Sequence, residues 1–597
     1  MPVAGLQHNT RETRYATLVP RPPFPAGWRG RWLILAPVPI CRRRHGARPA
    51  PPRAGPPLIM LRINELKLPL NHPDHALRDA IVGRLGIESG DLVDFTVFKR
   101  SYDARKKTAI VLIYAVDVEV RDEAAVLARL ARDPHVVPAP DTGYKFVTTA
   151  PPAPGTPRPV VVGMGPCGLF VALILAQMGY KPLVLERGKI VRERTVDTFG
   201  FWRKRKLNTE SNVQFGEGGA GTFSDGKLYS QVKDPKHYGR KVLNEFVKSG
   251  APEEILYVSK PHIGTFRLVK MVEQMRAEIL ALGGEIRFQT RVEDVLIEGA
   301  GNARQVVGVK LHTGETIPTR HLVMAVGHSA RDTFQMLYDR GVYIEAKPFS
   351  IGFRVEHPQS LIDVCRFGPN AGNKILGAAD YKIVHHASNG RSVYSFCMCP
   401  GGTVVAASSE EGRVVTNGMS QYSRAERNAN SAIVVGITPA DYPGHPLAGI
   451  AFQRELESRA FVLGGGNYDA PGQLMGDFVR GVPSKEFGTV VPSFKPAVHL
   501  TDLAPSLPDY AIVALREAFV AFDKQIKGYY KDDAVLTGVE TRTSSPIRIK
   551  RHDDNLQSLN TKGLYPAGEG AGYAGGIMSA AIDGIRVAEA VALAMVG

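Results

Sequence analysis

Gly163, Gly165 and Gly168 stand in the run Val160-Val161-Val162-Gly163-Met164-Gly165-Pro166-Cys167-Gly168, and Glu186 follows with seventeen residues between it and Gly168. Glycines at this spacing handle phosphate: Gly163 permits a tight turn, Gly165 lets a pyrophosphate reach the backbone, and Gly168 lets a helix pack closely on a sheet. The free N–H groups of a helix opening at Pro166-Cys167 stabilise an anion without help, and the loop contains no lysine. An acid placed like Glu186 accepts the hydroxyls of an adenosine ribose. A second constellation, GLYPAGEGAGYAGGIMSAAIDGIRVAE, spans 563–589. In it the Glu569 carboxylate suits a polyol hydroxyl, and a helix opening at Gly575-Gly576-Ile577 aims its N–H groups at a group that becomes negative on reduction. A third stretch, Phe215–Lys227, holds Gly218, Gly219 and Thr222 in a glycine-rich segment that lets backbone pass close to a flat ligand.

Positioning these groups requires particular elements. The three valines read as a buried strand, Leu169–Met178 continues at helical length, and Pro182–Leu185 reads as a second strand. Residues 264–283 read as an amphipathic helix. Glu285–Phe288, Val292–Ile297, Val306–His312 and Glu315–Val326 alternate like an antiparallel meander that closes on Ala325-Val326-Gly327. Before the glycine unit, residues 60–147 follow the order strand, helix, strand, strand, helix, strand, which predicts a small ferredoxin-like α/β domain. Its Lys99–Lys107 hairpin is basic, either a solvated turn or a contact surface for an anionic substrate or an RNA. Residues 148–158, TTAPPAPGTPR, form a linker by composition. Residues 329–534 mix strands and helices. Their Leu463-Gly464-Gly465-Gly466-Asn467 run has no β run before it, so one dinucleotide site is expected and no dedicated NAD(P) site.

Composition excludes several classes. Hydrophobic residues make up 44% and charged residues 22%, as in an ordinary globular chain. The net charge of +16 suggests a polyanion partner until it is located. Residues 1–59 carry ten Arg, no Lys and one acid, a net +9, which leaves +7 for everything after. That segment is also proline-rich, so it reads as a disordered extension, and orderly patterning makes Met60 the expected start. Trp32–Ile40 is too short to span a bilayer and is broken by Pro37 and Pro39, so neither a membrane anchor nor a secretory signal is expected. Cys41, Cys167, Cys365, Cys397 and Cys399 form no disulfide framework or zinc spacing, which points to a reducing, cytoplasmic setting and no metal. Cys397 and Cys399 form Cys-x-Cys, strained as a redox pair and short of two partners as zinc ligands, so both are expected to pack a core.

The strings FGEGGAGTFSDGKL (215–228), PHIGT (261–265), AVGHSARDT (325–333), FCMCPGG (396–402), NGMS (417–420), ETRTSSP (540–546) and YPAGEGAGYAGGIMSAAIDG (565–584) carry a resemblance. In its first Rossmann unit, its meander and its C-terminal strand and helix the chain resembles FAD-dependent flavoproteins of the glutathione reductase type. More narrowly, it is similar to a bacterial family of FAD-dependent dehydrogenases without an agreed substrate. The resemblance implies a discontinuous FAD-binding Rossmann domain at 159–328 and 535–597, a substrate domain inserted at 329–534, and one FAD. It adds Arg187, Val292, Gly327 and Gly568 to the cofactor contacts. Gly568-Glu569 stands where such proteins have Gly-Asp, one methylene longer at the acid.

The expected activity is flavin-mediated oxidation or reduction of a small or medium organic substrate, the flavin supplying the redox chemistry and the protein the positioning. Candidate polar groups around the substrate are His262, His328, Arg354, Glu356, Glu540 and Arg542, all inside or beside those strings. Two other readings stay open: a flavoprotein that binds or modifies RNA through the basic hairpin, and a flavin-containing structural or sensor protein without turnover.

Overall fold

A computed structural model describes residues 60–596; the expectations for 1–59, Cys41 included, lie outside the described residues. The chain opens with a four-stranded antiparallel sheet in the order Leu92–Asp103, Val111–Val120, Leu61–Pro69, Val136–Pro138. The pattern along Val111–Val120 shows why it forms: every second residue, from Leu112 to Val120, is buried. Helices Ala76–Leu85 and Glu123–Arg129 bring Leu77, Ile81, Leu85 and Val126 to the same core, and Asp122 caps the second helix by accepting from the Ala125 N–H at 2.9 Å. The basic hairpin is docked rather than free. The Arg100 N–H donates to the Tyr257 carbonyl at 2.6 Å, Tyr102 packs edge-on against Phe367, and Asn370 donates to the Lys107 carbonyl at 2.7 Å.

A parallel five-stranded sheet follows, in the order Leu564–Pro566, Leu322–Met324, Val160–Val162, Leu183–Leu185, Glu285–Arg287. The first four are buried along their whole length, as strands covered on both faces must be. Helix Pro166–Gln177 packs on this sheet and against Ile577–Val596, so closely that a Cβ on Gly584 would lie 2.5 Å from the Cys167 carbonyl. The meander is smaller than expected. Its strands are Val292–Glu298, Gln305–Leu311 and Thr316–Pro318, whereas Glu285–Arg287 and Leu322–Met324 belong to the parallel sheet. Alternation looks the same in both settings. Helix Thr265–Ala281 decides the matter by returning the chain parallel to Leu183–Leu185.

Beyond it lies a seven-stranded mixed sheet: Val384–His386, Ser392–Cys399, Asn428–Ile437, Phe349–Pro358, Val535–Glu540, Ala470–Leu474, Val498–Leu500. Helix Asp509–Phe522 packs on one face of it. The expected limit of the insert at residue 534 is too early, because Val535–Glu540 pairs with Phe349–Pro358 inside this sheet. The chain crosses back only at Ile547–Ile549, which pairs with Ile344–Ala346 in a two-stranded ribbon. Strand partners assign a segment to a sheet, and neighbours in sequence do not reveal them. Among the described residues no helix is long and apolar enough to cross a membrane.

Candidate functional site

The phosphate loop has the shape its glycines suggested. Gly163 sits at φ +98°, and a Cβ there would come within 2.5 Å of the Ala325 carbonyl; on Gly168 a Cβ would lie 1.9 Å from the Gly163 carbonyl. Gly165 differs: its nearest protein neighbour to a Cβ is Gly219 Cα at an ordinary 3.7 Å, and its φ is −76°. Nothing in the protein requires a glycine at 165, yet it lines a cavity, so a side chain there would take up cavity space. Gly575 and Gly576 repeat the observation at the start of the C-terminal helix, where a Cβ would meet nothing within 4 Å.

That cavity, about 790 Å³, runs from the phosphate loop to the seven-stranded sheet. At one end it is walled by Gly163, Gly165, Pro166, Cys167, Glu186 and Arg187; further along come Gly219, Val292 and Gly327, and then Glu569, Gly575, Gly576 and Ile577. Four expected contacts stand elsewhere. Gly168 is packed on the sheet, Gly568 donates its N–H to Asp583 at 2.8 Å, and Gly218 and Thr222 line a small apolar void behind the wall. The 218–222 loop turns outward only at Gly219, Ala220 and Gly221.

Glu186 is buried and does more than its position suggested. One carboxylate oxygen accepts from the Gly188 and Gly216 N–H groups at 2.8 and 3.0 Å, and the other from Met164 at 2.8 Å. It therefore ties the phosphate loop to the glycine-rich segment and keeps lone-pair capacity toward the cavity. Arg194, which sequence reading missed, shapes that segment. Wholly buried, it donates to the carbonyls of Asn212, Val213, Gly216, Glu217 and Gly219 at 2.7–3.3 Å. Burial holds its pKa down to about 10. A cationic stretch of sequence carries no sign that one of its arginines points inward.

At the opposite end the candidate polar groups separate. His328, Glu540 and Arg542 line the cavity. Burial, reinforced by Arg542 and Arg331, pushes His328 down to about 3, so its imidazole is neutral at neutral pH. Arg354 lies behind the wall, fully buried. It donates to Glu540 at 3.0 and 3.1 Å, to Asn430 at 2.9 Å, to the Cys397 carbonyl at 3.0 Å and to Asn417 at 3.2 Å. With its donors spent, it organises the wall and offers no hydrogen bond to a ligand. His262 also misses the cavity: its ring stacks on Tyr422 and bonds the Tyr422 carbonyl at 2.9 Å. Glu356 is buried against Ser493 and Asn428. Sequence reading overlooked Lys227, whose ammonium reaches the Met398 carbonyl, and placed Cys397 beside it in a core; both face the cavity.

Behind Arg542 sits an ionic core. Glu457 accepts from Arg542 at 2.8 and 3.0 Å, from Arg331 at 2.7 and 3.0 Å and from Thr541 at 2.9 Å, all of it buried. Arg331 follows the parallel sheet while Arg542 follows the seven-stranded one, so Glu457 joins the two walls. Among the described residues no group of His, Cys, Asp and Glu could hold a metal ion.

Residues 348–543 match a family described as "FAD-dependent protein, C-terminal domain-like", and residues 60–119 match a domain of unknown function. An uncharacterized protein of Clostridium beijerinckii is 47% identical over 539 residues, covering 89% of this chain and 98% of its own. Among solved structures, glycine oxidase from Bacillus cereus aligns at 12% identity and TM-score 0.32, over 73% of this chain and 97% of that one. Glycerol-3-phosphate dehydrogenase from Bacillus halodurans, complexed with FAD, aligns at 14% identity and TM-score 0.31, over 74% and 65%.

Proposed function

Since this chain belongs to the same family as the clostridial protein and is a FAD-dependent flavoprotein, we propose that it is an oxidoreductase, a dehydrogenase of a small or medium organic substrate. The observation that carries the reading is the single cavity of about 790 Å³, which joins a dinucleotide cradle to a polar wall on a second sheet. FAD supplies hydride and electron transfer when bound. The chain supplies the rest. Gly165 and the Pro166–Gln177 helix start take the pyrophosphate, and Glu186 takes the adenosine ribose. Glu569 takes ribitol hydroxyls, and the N–H groups at Ile577 stabilise negative charge at the flavin edge. Across the cavity Arg354 holds Glu540 and Asn417 toward the substrate, and neutral His328 offers a hydrogen bond without adding charge.

On this reading 60–147 is a ferredoxin-like domain, 148–158 a linker, 159–328 with the C-terminal segment from about 547 the FAD-binding domain, and the segment between them the substrate domain. The free cysteines among the described residues support a cytoplasmic setting. The docked hairpin speaks against the RNA reading.

Anaerobic bleaching of the flavin by a panel of metabolites tests the activity: bleaching by at least one small organic reductant is expected, and a flavin that no donor reaches argues for the sensor reading. NADH and NADPH are expected to reduce it only weakly, with a dissociation constant of hundreds of micromolar or more, roughly −5 kcal/mol, because no second glycine fingerprint receives their pyrophosphate. Saturation at low micromolar concentration would mean that a nucleotide site exists elsewhere in the insert.

Burial raises Glu569 to about 7, with Lys347 pulling the other way. An acid raised above its unfolded value of about 4.3 loses stability for the fold as pH climbs from there to the folded value, and the loss persists above it. Flavin-free Glu569→Gln protein should therefore melt higher than the parent at pH 8 and no higher at pH 4. The same variant should hold FAD about tenfold less tightly, roughly 1.5 kcal/mol for a lost charge-assisted bond. Equal melting temperatures at pH 8 and equal affinity would count against the assignment.

A further inference from the structure

Cys397 was expected in a core, and it stands instead on the cavity wall in the left-handed backbone region, at φ +44°. A side chain in that conformation is strained, and such strain persists only where surrounding contacts hold it. Here three contacts do. Arg354 donates to the Cys397 carbonyl at 3.0 Å, the Lys227 ammonium donates to the next carbonyl at Met398, and the buried Cys399 thiol lies 3.3 Å from the Cys397 carbonyl oxygen. The strand bulges here, its register with Asn428–Ile437 slipping between Phe396 and Cys399. The bulge sets the two cysteines side by side, two residues apart in the chain, with the Cys399 sulfur turned back toward residue 397.

The charged and titratable groups that act on this thiol are cations, acids and a tyrosine on the surrounding elements. Lys227 and Tyr229 come from the loop below, and Arg354 and Glu540, already paired to each other, come from the sheet. Glu569 lies across the cavity, while Arg424, bound to Asp225, acts on Cys399. The Cys399 donor first, then Lys227 and Arg354, hold the Cys397 thiol well below its usual range against its burial, while Cys399 is pushed well above. The other described cysteines are unlike it. Cys167 is raised by burial, and half-buried Cys365 is raised too and bonds the Lys527 carbonyl at 2.9 Å.

We propose that Cys397 and Cys399 are a nucleophile and its resolving partner, a dithiol that reduces a hydroperoxide entering the cavity. Sulfur of Cys397 attacks one peroxide oxygen; the S–O bond forms, the O–O bond breaks, and the departing oxide takes up the proton that the thiol gave up and leaves as water or an alcohol. Sulfur is oxidised by two electrons to a sulfenic acid and the peroxide is reduced. The Cys399 thiol then attacks that sulfur, the S–S bond forms, and hydroxide leaves with the thiol proton as water. An external dithiol restores the pair. The proposal is independent of which substrate the flavin oxidises.

The experiment treats flavin-loaded protein with hydrogen peroxide and follows the cysteine peptides by mass spectrometry. Cys397 should react about tenfold or more faster than Cys365, as a low-pKa thiol does beside an ordinary one. The peptide carrying both cysteines should lose about 2 Da, recovered with dithiothreitol. In Cys399→Ser, dimedone should trap the intermediate on Cys397. Lys227→Met should slow the reaction at neutral pH, and Lys227→Arg should restore it. Cys365 reacting first, or Cys397 oxidising without loss of the two hydrogens while flavin stays bound, would overturn the proposal.

Discussion

Gly165→Val yields a folded, colourless protein. At this position a Cβ meets only Gly219 Cα at 3.7 Å, and the backbone is one that any residue adopts, so valine burdens the fold little and fills the space that the FAD pyrophosphate needs. Flavin content should fall from about one per chain to none, a loss larger than any single hydrogen bond at the site would cause. Absorbance at the flavin band after gel filtration measures it, with the far-ultraviolet circular dichroism of the variant as control for folding. A yellow variant with stoichiometric flavin would remove the phosphate loop from the cofactor site. Glu186→Ala has a different signature, because Glu186 also holds the N–H groups of Met164, Gly188 and Gly216. It should lower stability along with flavin affinity, each by about 1–3 kcal/mol.

The largest expected loss of stability follows Glu457→Ala. Its carboxylate is wholly buried between Arg331 and Arg542, and its removal leaves the two guanidinium groups with Glu410 as their remaining carboxylate, paired to Arg331 and 3.9 Å from Arg542. Breaking a buried ion pair costs about 3–5 kcal/mol, and urea denaturation should show the midpoint shift by that amount. The two arginines hold Glu457 far below the usual carboxylate range, against its burial. A lowered folded pKa contributes stability above the unfolded value of about 4.3 and loses it as pH falls toward the folded value. Acidification below about pH 4.3 should therefore destabilise the parent more steeply than Glu457→Gln, which is already neutral. Parallel pH curves for the two proteins would show that the ion triad contributes nothing.

The glycine turn and the two helix starts were legible in the sequence because their geometry is local. A turn, a close approach and a helix start are made by consecutive residues, so Gly163, Gly165, Gly168 and the 575–577 segment announce their work through spacing alone. Burial on both faces likewise shows in the unbroken apolar runs of Val160–Val162 and Leu183–Leu185. The end of the cavity opposite the phosphate loop is built from Lys227, Cys397, Asn417, Glu540 and Arg542, which lie far apart along the chain and meet only through strand pairing. Nothing local distinguishes an arginine that faces a ligand from Arg354, whose five hydrogen bonds point into the wall. The same limit hid Arg194, sent His262 to Tyr422 and misplaced the edge of the inserted sheet. Alternation records that a strand has two faces; tertiary packing alone decides which sheet it joins, and whether a buried charge serves a ligand or another charge.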